Sequence, residues 1–64
     1  MLLIKSSKAS EIWEKLYPDF SQNGMYETSQ EDIIAFECFD SDEILYLLEC
    51  INELDIPFSS QVQN

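Results

Sequence analysis

The chain has sixty-four residues with thirteen acidic and three basic side chains, no histidine, a net charge of −10, and 45% hydrophobic and 12% aromatic residues. It is too apolar, and with one Gly and two Pro too poor in breakers, for a disordered segment, yet a chain this short hides only about 60% of its unfolded surface and so has a small core. The charge weakens binding to nucleic acid or an anionic membrane, so neither is expected as a direct partner, and the natural partner is a basic protein or there is none.

Leu2, Leu3 and Ile4 form a short apolar run that predicts a buried strand. Ser6 and Ser7 offer an N-cap, after which Ala9, Ile12, Trp13 and Leu16 repeat at helical spacing until Pro18 is expected to stop the helix. Glu11 and Lys15 are placed to pair at i, i+4. Residues 19–24, DFSQNG, hold the chain's only Gly in an Asn-Gly turn signal. A short strand is expected over 25–28, a polar connection over 29–32, and the best strand of the chain over 33–39, IIAFECF, the two pairing as a hairpin. In the second strand Ile34, Phe36 and Cys38 share one face, and Ile33, Ala35, Glu37 and Phe39 share the other. Glu37 should face water, which assigns the first set to the core.

The strongest signal lies over 40–54. Ile44, Leu47, Leu48, Ile51 and Leu54 follow the i, i+3, i+4, i+7 rule, and Asp40 with Glu43 forms a capping-box variant at the start. At about 100° per residue the opposite face carries Asp42, Tyr46, Glu49 and Glu53, with Glu43 at one edge. Asp55 breaks the pattern, a last strand is expected over 56–60 with Pro57 restricting it to an edge or bulge, and the polar tail 61–64 is expected to fray.

The chain therefore reads as one α+β domain over residues 1–60. Its order, βαββαβ, fits a two-layer split-βαβ, ferredoxin-like sandwich with the first and third strands central, and the alternative is a three-stranded antiparallel sheet with two helices. Both helices would cover one face of the sheet and leave Leu3, Ile33, Ala35 and Phe39 around Glu37 open, an uncovered face suited to a homodimer or a docking partner.

Little here supports chemistry. Without His, Arg or a Gly-rich loop the chain lacks the usual general base, phosphate clamp and phosphate cradle, and scattered carboxylates are expected by chance among thirteen, so no enzyme is expected. Cys38 and Cys50 have neither metal-site spacing nor a basic neighbour to activate a thiol, and Asp40, Asp42 and Glu43 lack the Gly and distant Glu of a calcium loop. No cofactor and no metal are expected. Two cysteines, no signal-peptide h-region and no membrane-length apolar run read as a cytoplasmic chain.

Charge placement is the feature that remains. Lys5, Lys8 and Lys15 are the only cations, so from Leu16 onward the chain holds eleven acids (thirteen less Glu11 and Glu14) and no base. In size and charge the chain resembles phage anti-defence proteins such as anti-CRISPR and anti-restriction DNA mimics, and immunity proteins or antitoxins that cap basic nucleases. That resemblance implies a non-enzymatic inhibitor whose residues Asp42, Glu43, Tyr46, Glu49 and Glu53 bind a nuclease or other basic nucleic-acid-binding complex, in the host cytoplasm if phage-encoded. A small regulatory subunit docking through the open sheet face is the alternative.

Overall fold

Alternation along the first strand sends Leu2 and Ile4 to one side of a sheet and Leu3 to the other, and the rest of the fold follows from that parity. The computed structural model describes residues 1–20, 24–37 and 40–63. Within them the order is β1 (Leu2–Lys5), α1 (Ala9–Phe20), β2 (Met25–Glu27), β3 (Ile33–Phe36), α2 (Ser41–Glu53) and β4 (Ser59–Val62). The strands form one four-stranded sheet in the order β2-β3-β1-β4, with every neighbouring pair antiparallel. This is the α+β order expected from the sequence, with β1 and β3 central and four strands rather than three.

One face of the sheet holds Leu2, Ile4, Ile34 and Phe36, all buried in a core completed by Ala9, Ile12 and Leu16 of α1 and Leu47 and Ile51 of α2. Leu2, Ile4, Ile12 and Ile51 are the largest fully buried side chains, each contributing about 1.5–3 kcal/mol by leaving water. Both helices thus cover the face that strand parity selected. Cys38 and Phe39, assigned to the end of the third strand, lie outside the described residues, as does Asn23 of the Asn-Gly turn.

Local chemistry sets the element ends. Ser6, 5% exposed, accepts a hydrogen bond at Oγ from the Lys8 N–H (3.1 Å) and donates from it to the Pro57 carbonyl (2.7 Å), so one hydroxyl organises the entry to α1 and ties it to the approach to β4. Gly24 takes φ +84°, and a Cβ there would come within 2.8 Å of Glu37 Cβ, while its carbonyl accepts the Glu37 N–H at 2.8 Å. Asp40 is extended and accepts the Glu43 N–H at 2.8 Å, capping α2 as expected. In the hairpin loop Thr28 Oγ1 accepts from the Gln30 N–H (3.1 Å) and sits 2.9 Å and 3.0 Å from the carbonyls of Gln30 and Ile33.

Four expectations need correction. Pro18 does not stop α1, which runs on to Phe20. A proline removes only its own N–H bond and keeps a helical φ, so in the last turn its cost is offset by packing Phe20 on the core. The last strand is Ser59–Val62, not 56–60, and residues expected to fray are paired: Val62 opposes Leu2, Gln61 opposes Leu3, and Gln63 N donates to the Met1 carbonyl at 2.7 Å. Buried Ile56 and part-buried Phe58 anchor the lead-in, and Pro57 has no N–H for the ladder, so pairing starts at Ser59 against the free edge of β1. The hairpin strands are shorter than expected at their described ends, with Thr28 beyond β2 and Glu37 beyond β3. Finally, Glu11 and Lys15 do not close an ion pair. Among the described residues the ion pair is Lys5–Asp32 at 4.0 Å, itself well exposed, because long surface side chains lose as much rotamer freedom as a screened attraction returns.

Candidate protein-binding surface

The buried stripe of α2 fixes what its other side can present. With Leu47 and Ile51 against the sheet, Asp42, Glu43, Tyr46, Glu49 and Glu53 are all exposed, as their spacing required. Asp42 to Glu53 spans about 16 Å of helix axis. No lysine or arginine occurs in α2, and its last turn, where the helix dipole is negative, holds Glu53 and no base.

Tyr46 is not isolated among these acids. Its ring centroid lies 6.1 Å from that of Phe20, tilted by 51°, so the end of α1 braces it although the side chain is 62% exposed. Its hydroxyl hydrogen-bonds Cys50, one turn on, and this bond, the thiol's charge when ionised, partial desolvation, and the carboxylates of Asp19 and Glu53 together hold the phenol above its ordinary pKa. Cys50 is a free, half-buried thiol packed at the core edge.

Three contributors were missed by sequence reasoning. Phe20 and Asp19 were placed beyond a helix thought to end at Pro18, yet Phe20 continues the Leu16 spacing by four residues. Leu45, 60% exposed, lies outside the 44, 47, 48, 51, 54 stripe, and that displacement was the available signal. The α2 surface therefore joins carboxylates to two exposed apolar side chains, Leu45 and Tyr46. Such a surface accepts hydrogen bonds from lysine or arginine donors and covers their stems.

The uncovered sheet face is a second, smaller surface. In register across it stand Tyr26, Ala35, Leu3 and Gln61, with Ile33, Lys5 and Ser59 in the next row. Ala35 is only 4% exposed yet lies outside the helix-covered core, being closed in by Tyr26 and Leu3 directly opposite it. The Tyr26 hydroxyl hydrogen-bonds the Glu37 carboxylate, whose charge, with partial desolvation, raises the phenol pKa above 10.0. Leu3 and Ile33 are half-buried, so the apolar part of this face is narrow, and Phe39, assigned to it from the sequence, lies outside the described residues.

No helix among the described residues is long and apolar enough to cross a membrane. No protein-family model matches the chain, and neither the curated proteins nor the solved structures include one significantly similar to it.

Proposed function

We propose that the chain is a small non-enzymatic inhibitor of the phage anti-defence type, anti-CRISPR or anti-restriction, whose α2 surface occupies the basic nucleic-acid-binding surface of a partner protein in the host cytoplasm. The observation that carries this reading is the outward row Asp42, Glu49 and Glu53 around a braced, exposed Tyr46 on a helix with no cation. Duplex DNA presents one charge per about 1.7 Å of axis, and the row of carboxylates offers a basic groove a sparser run of acceptors, one per roughly 5 Å of helix. The helix dipole accounts for Asp42 in the first turn but gives no reason for Glu53, an acid in the last turn that opposes the partial charge there. An immunity protein or antitoxin capping a basic nuclease toxin would use the same surface, and differs only in the partner's identity.

Capture at low and high salt, with the parent and a Glu49→Lys, Glu53→Lys variant, tests the reading. The expected result is a nucleic-acid-binding protein that the parent holds and inhibits at low salt, releases at high salt, and that the variant neither holds nor inhibits. A partner held equally by both chains at every salt concentration would reduce the acidic face to a solvated surface. The narrow apolar row Tyr26, Ala35, Leu3 carries the second reading, a regulatory subunit or homodimer docked through the open sheet. A sedimentation-equilibrium mass of twice the chain, lost on Leu3→Lys, would favour it.

A further inference from the structure

A groove of about 540 Å³ lies between the first half of α1 and the β2–β3 hairpin, with Trp13 and Glu14 on the helix side and Glu27, Glu31 and Asp32 on the hairpin side. Its size falls in the range of ligand sites, about 300–1,000 Å³. We propose that this groove receives an arginine side chain from a protein partner, with the guanidinium against the Trp13 indole and its N–H edge toward the carboxylates.

The aromatic wall is preorganised. Trp13 is half-buried, packs on the core, and its ring meets that of Tyr17 at 5.4 Å and 30°, so little rotamer freedom is left to lose on binding. Indole is the best aromatic partner for a cation, and its edge also covers the methylene stem of a long side chain. Charge complementarity then selects the occupant. Four carboxylates and no lysine line the groove, and of these only Asp32 has a cation, Lys5, at 4.0 Å. The side-chain carboxylates of Glu14, Glu27 and Glu31 make no hydrogen bond or ion pair among the described residues. The start of α1 favours anions, but four formal negative charges, with Glu11 in the first turn, exceed its roughly half-charge. Arginine fits better than lysine because a flat, weakly hydrated guanidinium can stack and donate at once, whereas an ammonium is a strongly hydrated point charge.

The groove shares no residue with α2, so this inference stands or falls separately from the inhibitor reading. Trp13 is the only tryptophan of the chain, which makes its fluorescence a direct report on the groove. Titration at low salt with N-acetyl-L-arginine amide should give a saturable Trp13 response and amide shifts confined to α1 and the hairpin, with a dissociation constant of about a millimolar. N-acetyl-L-citrulline amide, which has the same shape without the charge, should give no saturable response. A Glu27→Gln, Glu31→Gln variant should bind about threefold or more weakly, since exposed charges contribute modestly each, while Glu49→Gln, Glu53→Gln should bind like the parent. If the first variant loses its amide-shift dispersion, Glu31→Gln alone, at an exposed loop position, carries the same comparison. Absence of saturation, an equal response to citrulline amide, or equal weakening by both variants would overturn the proposal. Equal binding of N-acetyl-L-lysine amide would overturn the assignment to arginine.

Discussion

Phe20 and Tyr46 meet ring to ring, with centroids 6.1 Å apart, across the seam between the end of α1 and the exposed side of α2. The pair couples the helix that continues past Pro18 to the surface proposed for partner binding, and it gives an exposed tyrosine one packed ring neighbour. A rigid amphipathic anchor loses less freedom on binding than a free side chain does.

Truncating that anchor separates contact from fold. Tyr46→Ala should weaken partner binding by about 2 kcal/mol or more if the ring sits at the centre of a desolvated contact, while lowering thermal stability little. Tyr46→Phe keeps the Phe20 contact and removes the Cys50 hydrogen bond, so it should retain most of the affinity. Titration calorimetry of the three chains against the captured partner checks the order. Equal affinities throughout would remove Tyr46 from the interface.

Charge reversal on α2 should act oppositely on binding and stability. Glu49→Lys with Glu53→Lys places cations near the negative end of the helix dipole and relieves the repulsion between Glu53 and Asp19, which both act on Tyr46, so stability should rise by about 0.3–1 kcal/mol. Inhibition and its salt dependence should fall together. Urea denaturation and an inhibition assay on the same samples read both.

At alkaline pH the tyrosines set the trend. Glu37 raises the pKa of Tyr26, and the Cys50 bond with neighbouring charges raises that of Tyr46, so each native phenol holds its proton above 10.0, where an unfolded phenol has begun to lose it. The unfolded state then binds fewer protons, which makes stability present below that value fall as pH rises through the folded pKa values. Absorbance titration near 295 nm on a Tyr17→Phe, Tyr46→Phe variant, which leaves Tyr26 as the single tyrosine of the chain, should isolate the Tyr26 transition, and adding Glu37→Gln should bring it back toward 10.0. No movement on that change would remove Glu37 as the cause.

The parts of the fold legible in the sequence are those where a side chain's burial decides its backbone. Parity at Leu2, Ile4, Ile34 and Phe36 chose the core face, and the stripe from Ile44 to Leu54 placed α2 and hence its acids. The parts that were not legible depend on a neighbour. Ser59–Val62 is exposed along its whole length, so nothing in its own pattern marks a strand, and the free edge of β1 makes it one. Phe20 was hidden behind a proline rule that applies to helix interiors more strictly than to a last turn. The Trp13 groove was invisible because its two walls lie on elements joined only by the fold, and along the sequence Trp13 reads as one more member of the α1 apolar repeat, whose core it does pack against.

Ser6 is the buried polar side chain of the described core, and its two hydrogen bonds make it sensitive to a single-atom change. Ser6→Ala should cost about 1–2 kcal/mol by leaving the Pro57 carbonyl and the Lys8 N–H without that partner. Ser6→Cys keeps a weak donor at a larger radius and should recover little. A shift in the denaturation midpoint with unchanged slope would assign the loss to the native state.

Asp55 offers a gain in stability, and three substitutions divide its causes. It follows α2 at φ +58°, in the left-handed region, with its N–H bonded to the Asn52 carbonyl at 3.2 Å, so it performs the helix-ending role usually given to Gly. Two costs fall on it together. An L-residue in this conformation is strained, less for Asp than for most, and a carboxylate beside the last carbonyls of a helix opposes their partial charge. Asp55→Gly removes both and should stabilise by about 1 kcal/mol, or about 4–8 °C in Tm for a domain of this size, less the entropy a glycine adds to the unfolded chain. Asp55→Asn removes only the charge, keeps a residue that tolerates the conformation, and should gain about half as much. Asp55→Ala also removes the charge but has no polar side chain to ease the positive φ, so it should fall below both and near or under the parent. The order Gly, Asn, parent, Ala in thermal midpoints at low salt is the expected outcome. Raising the salt should shrink the gain from Asn and leave the difference between Gly and Asn, because screening acts on the charge and not on the backbone.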